Sequence, residues 1–154
     1  MKKAFIAALS ASLLLVTCTL SALDDNRNFY VRNRAALAKT AAEADLTRNL
    51  EYDFSRASVR MTYYTNLDKL AKFLIANKAP LALRGYADSI GAYKANWVLS
   101  DKRAMNVKKY LVEKGVSDQL IVTTPFGSTK PIASNKTPQG RQRNRRVEVK
   151  ISQI

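Results

Sequence analysis

Two opposite charges carry the most specific chemistry in the sequence. The stretch GYADSIG, residues 85–91, sets one carboxylate, Asp88, in a tight turn after an apolar strand, and Arg103 follows on the next element. An aspartate accepts hydrogen bonds from an ammonium, and an arginine offers a planar fork of donors to a carboxylate. Together they could clasp an amino-acid centre that carries both groups. Backbone N–H groups of the turn would add anion-binding capacity. The spacing alone equally allows an internal ion pair or an aspartate that caps a helix. Asp53 and Asp88 could in principle share acid–base work, as in glycoside hydrolysis. The chain has no histidine, which removes His-based triads, imidazole bases and most catalytic zinc sites, and its single cysteine cannot form an intrachain disulfide. The residues therefore read as a binding module, not an enzyme, with no cofactor and no metal.

The elements that must position this pair follow from periodicity. Leu50 to Phe54 alternates and reads as a strand, and residues 56–60 as a bend. Tyr64, Leu67, Leu70, Ala71, Phe73 and Leu74 recur at helical spacing over 63–76, stopped by Asn77 and Pro80. Residues 81–85 read as a second strand. A helical region spans 92–114, with a candidate break at Ser100, which could be an N-cap with Asp101 in the first turn, core positions Ala104, Val107, Tyr110 and Leu111, and a stop at Gly115. Residues 120–124 read as a third strand, 137–144 as a short polar helix, and Val147, Val149 and Ile151 mark a final strand. The order β-α-β-α-β-(α)-β predicts an α/β fold of the α+β two-layer type, a mixed sheet with helices on one face.

The N-terminus reads as an export signal. Lys2 and Lys3 precede an apolar run, residues 4–16, too short to span a bilayer comfortably. Leu15-Val16-Thr17-Cys18 resembles a bacterial lipobox, although Thr17 departs from the small residue usual there. Residues 1–17 are thus expected to be a signal peptide, with Cys18 acylated as the first mature residue; ordinary cleavage after Ser21 or Ala22 is the alternative. Thr19, where an aspartate would retain the protein at the inner membrane, points to a lipid anchor in the outer membrane, with a soluble periplasmic protein as the alternative. Residues 18–48, including AALAKTAAEAD, read as a tether.

Charge narrows the partner. The net charge is +14, and from Arg48 onward twenty basic residues face eight acidic ones. Such a field implies an anionic partner or surface, the alternative being a merely solvated, soluble face. For an exported chain, muropeptide carboxylates and lipid phosphates come before nucleic acid. A second function follows from charge alone: a basic envelope component of a secretion or conjugation assembly that binds polyanion, either lipopolysaccharide or nucleic acid.

The run GYADSIGAYKANWVLSDKRAMNVKKYLVEKG, flanked by EYDFSRASV and FGSTKPIASNKTPQGRQRNRRVEVKI, resembles the OmpA-like peptidoglycan-binding domains over residues 49–154. The resemblance implies non-covalent binding of peptidoglycan, with Asp88 and Arg103 gripping diaminopimelate of the stem peptide and Asn96 assisting. It further implies that Phe54 and Asp53 line the groove, and that Arg146 of NRRVE lies near it. Ser55 stands where the family often has aspartate. On the residues alone, Phe54 could equally be core and Asp53 a turn cap. Arg141, Arg143 and Arg145 read as solvated charge, and Trp97 as packing or a sugar-stacking face. The implied role is a tether between outer membrane and wall, with other envelope proteins as further partners. Both grip residues are expected to stand free of the core.

Overall fold

The computed structural model describes residues 46–151. The leader, Cys18 and all of the tether before residue 46 lie outside the described residues. From Leu50 on, the described residues form in order β1 (Leu50–Glu51), α1 (Tyr64–Asn77), β2 (Leu81–Gly85), α2 (Tyr93–Glu113), β3 (Ile121–Pro125), α3 (Pro138–Asn144) and β4 (Arg146–Ile151). Short 3₁₀ turns, Met61–Tyr63 and Asp118–Leu120, lead into α1 and β3. The sheet order is β1-β4-β2-β3. β2 and β3 are parallel across the α2 crossover, and β4 is antiparallel to both of its neighbours. The mixed two-layer architecture expected from the sequence is the one observed.

Register explains the layering. Leu83 pairs with Val149, Leu81 with Ile121, and Gly85 with Val147, so these side-chain positions share one face. That face buries against Leu67, Leu70, Ala71 and Leu74 of α1 and Ala104, Val107 and Leu111 of α2 in one core. On the opposite face Arg84, Val122 and Lys150 are exposed. The helix α2 ends in a Schellman motif. The Val116 N–H donates to the Leu111 carbonyl at 3.1 Å and the Gly115 N–H to Val112 at 2.9 Å, with Gly115 at φ 95°.

Three local expectations are corrected. β1 stops at Glu51 because the chain turns at Asp53, where the Arg56 N–H donates to the Asp53 carbonyl and Ser55 takes φ 58°. α2 is unbroken at Ser100. This buried hydroxyl donates to the Trp97 carbonyl at 2.8 Å and accepts from the Gly127 N–H at 3.0 Å, so it pins a loop and caps nothing. Tyr110 is only partly buried, its hydroxyl donating to Asp68 at 2.7 Å.

β2 reaches α2 through a contact that only glycine allows. A Cβ on Gly85 would lie 2.0 Å from the Ser100 carbonyl oxygen. Gly85→Ala should therefore destabilise the domain by about 1–3 kcal/mol or more, seen as a lowered urea midpoint with an unchanged slope.

A second expectation concerns the link between α1 and α2. The Asp68 carboxylate accepts from Lys114 Nζ at 2.9 Å and from Tyr110, and these bonds, Lys114 first, hold it below its ordinary value of 3.8. A depressed carboxyl contributes stability that is full above the unfolded value and lost as pH falls through the folded one. Asp68→Asn should lower the melting temperature at neutral pH, and the difference from wild type should shrink as the pH falls below the ordinary value of 3.8.

Candidate functional site

Arg103 projects from the middle of α2 toward the chain that leaves β1. Its Nε donates to the Arg56 carbonyl at 2.9 Å, Nη1 to Tyr86 at 2.9 Å and Nη2 to Asp53 at 3.2 Å. Its guanidinium carbon lies 5.1 Å from the centroid of the Tyr52 ring. The Tyr52 hydroxyl donates back to the Arg103 carbonyl at 3.4 Å. The residue is 0 % exposed, yet among the described residues no carboxylate lies within ion-pair distance of it. Burial pushes the guanidinium down to about 10; Tyr52 and Asp88 act against this and Arg145 with it. The charge therefore persists at neutral pH. Three of five N–H donors are spent on carbonyls, which leaves two.

Asp88 lies in the turn after β2 and is 3 % exposed. One carboxylate oxygen accepts from the Ile90 N–H at 3.0 Å, an Asx turn, and the other from Arg145 Nη1 at 2.7 Å. The internal ion pair is thus Asp88 with Arg145, not with Arg103, and Asp88 caps no helix. Asn96, buried on α2, donates to the carbonyls of Asp88 and Ile90, both at 3.1 Å, and so fixes the turn. Asp88, Asn96, Arg103 and Arg145 share the wall of one groove of about 690 Å³. That volume suits a small polar ligand.

Arg145 stands at the junction of α3 and β4. Its Nε donates to the Tyr52 carbonyl at 3.1 Å, and its Nη2 bonds Gln142. The junction is set by Asn144, which is fully buried. Its side-chain oxygen accepts from the N–H groups of Ile132 and Ala133, and its amide donates to Ala133 and Asn135. Thr137 caps α3 by accepting from the Gly140 N–H, with Pro138 in the first turn.

The OmpA family model matches residues 51–145. The chain belongs to the OmpA family. It is similar to outer membrane protein A of Bordetella avium, 39% identical over 115 residues that make up 74% of this chain and 59% of that one. It is also similar to the peptidoglycan-binding protein ArfA of Mycobacterium tuberculosis (strain ATCC 25618 / H37Rv), 41% identical over 97 residues, 62% of this chain and 30% of that one. The match thus spans less than two thirds of these curated relatives. Among solved structures, the peptidoglycan-associated lipoprotein of Burkholderia pseudomallei superposes with a TM-score of 0.66 at 27% identity, covering 68% of this chain and 90% of that one.

Within this OmpA-family domain the remaining sequence candidates separate. Phe54 lines the groove and is 57 % exposed, so it is not core. Asp53 contributes its carbonyl to Arg103, while its carboxylate sits outside the groove lining and is bonded by Arg60 Nη2 at 2.6 Å. That bond holds the Asp53 carboxyl below its ordinary range. Arg146 is corrected: it does not line the groove. As the first residue of β4 it points to the opposite sheet face, where it pairs with Glu148 at 2.7 Å and lies 3.8 Å from the Tyr86 ring centroid. One step along the chain changes face, and Arg145 takes the groove position. The expectation that Asp88 and Arg103 stand free of the core is also corrected, since both are buried. Tyr52, Asn144 and Arg145 were missed as site-forming residues; the NRR run was the available signal for the last two.

Removing Arg103 strips donors from three loop carbonyls. Arg103→Ala should cost about 3 kcal/mol or more in urea unfolding, whereas Arg60→Ala, which breaks an exposed pair, should leave the midpoint nearly unchanged.

Proposed function

We propose that the domain binds the bacterial cell wall non-covalently, taking the free amino-acid centre of a stem-peptide residue such as diaminopimelate into this groove. The observation that carries the reading is Arg103, a buried guanidinium with no carboxylate partner among the described residues and two donors to spare, in the same groove wall as the carboxylate of Asp88. The ligand carboxylate would take the unspent fork of Arg103, assisted by Arg145, and the ligand ammonium would approach Asp88. A plain amide bond offers neither charge, so the pair discriminates a free centre from the peptide around it. The similarity to the peptidoglycan-binding protein ArfA and to the peptidoglycan-associated lipoprotein supports the same ligand class.

The chemistry is binding without turnover. The sequence has no histidine to serve as an imidazole base. In the cell the domain would act as a mechanical link. Acylated Cys18 would hold the outer membrane, the residues that follow would span the gap, and the domain would hold the wall.

Because both grip residues are buried, the test needs a substitution that conserves shape. Asp88→Asn keeps an acceptor for the Ile90 N–H and removes the charge together with the acceptor that faces Arg145. It should lower retention on purified sacculi at least about tenfold while the melting curve stays cooperative. Retention equal to wild type would contradict the site. Retention that is indifferent to Asp88 but collapses about 10³-fold between 50 and 200 mM salt would instead indicate a polyanion binder.

A further inference from the structure

The groove wall carries more positive charge than a zwitterion can use. Its cations are Lys94, Lys102, Arg103 and Arg145, and its one carboxylate, Asp88, is already paired with Arg145. An amino-acid centre brings one charge of each sign and leaves this imbalance as it was.

The two lysines are placed by the helix. Lys94, Val98 and Lys102 lie four residues apart in a single row of α2, and Ala95, Leu99 and Arg103 form the row beside it; all six line the groove. Lys94 and Lys102 therefore stand roughly 12 Å apart along the same wall as Arg103. Other lysines at the C-terminal end of this helix have acidic partners: Lys108 with Asp118, Lys109 with Glu113, and Lys114 with Asp68. Among the described residues the two groove lysines have none. Asp101, one residue from Lys102, is not part of the groove lining. Within α2, the lysines with no acidic partner among the described residues are thus those that line the groove.

We infer that the groove is built for a carboxylate-rich muropeptide, with Lys94 and Lys102 contacting a second carboxylate beyond the gripped centre. This deepens the wall-binding reading and rests on it. In a stem peptide, a glutamate linked through its side-chain carboxyl keeps its α-carboxylate free, within a residue of a diaminopimelate centre. Amidation of that carboxylate removes the charge with little change of shape. The lysines would then make the domain selective for non-amidated wall, through a contact separate from the Asp88 and Arg103 grip.

The test is calorimetric titration of the domain with two synthetic muropeptides that differ only in amidation of the glutamate α-carboxylate, at about 50 mM salt, where surface charge is weakly screened. Wild type should bind the free acid about five- to tenfold more tightly than the amide, and Lys94→Gln/Lys102→Gln should abolish that preference. Equal affinity of wild type for the two peptides, or a preference that survives in the double variant, overturns the inference and leaves wall binding standing. Failure of wild type to bind either peptide overturns both.

Discussion

A buried guanidinium with no counter-ion among the described residues organises this domain. A desolvated charge is costly unless its donors are satisfied, and Arg103 meets that demand with carbonyls from the segment after β1 and from the end of β2. The same three bonds fix those segments to α2. The ring of Tyr52 lies beneath the guanidinium and closes the arrangement from the core side. Stability and the proposed binding therefore draw on one residue. The donors left over would have a fixed direction before a ligand arrives, which would reduce the ordering cost of the proposed binding.

The facing carboxylate is held by a separate device built mainly from amides. Asn96 holds the turn around Asp88, and Asn144 holds the loop before α3 and thereby the register of Arg145. Neutral side chains suit this task, since each donates and accepts without adding charge to the groove. Two close backbone approaches complete the frame. Gly85 lets β2 meet α2 at Ser100, and Gly140 lets α3 meet the carbonyl of Ser134, where a Cβ would lie 1.9 Å away. The turn, the helix and the last strand are thus fixed to one another by contacts that tolerate little change.

Much of this was legible in the sequence, for reasons that also mark where reading fails. α1 and α2 have apolar positions at helical spacing, and the Gly115 stop has a backbone cause, so both helices were readable. β2 and β4 alternate cleanly and were readable too. β1 was read too long because its alternation continues to Phe54, while the chain turns at Asp53 to present carbonyls to Arg103, a demand set fifty residues away. Ser100 looked like a cap because the sequence does not show that Gly127 will need an acceptor there. Of two adjacent arginines the wrong one was placed in the groove. Residue type cannot say which sheet face each would occupy, and only the register of β4 decides it. Burial of Asp88 and Arg103 was invisible for a related reason: charged residues look exposed until their hydrogen-bond partners are known.

The central claim is that Arg103 and the Asp88 turn clasp one small zwitterion. It is tested most directly by titrating the ¹⁵N-labelled domain with free diaminopimelic acid and following the arginine Nε–H signals together with the amide of Ile90. The expected result is that the Arg103 and Arg145 side-chain signals and the Ile90 amide move together and saturate on one binding curve. Signals that stay fixed at these three positions while the domain still binds sacculi, or shifts confined to the open sheet face around Arg146, would contradict it.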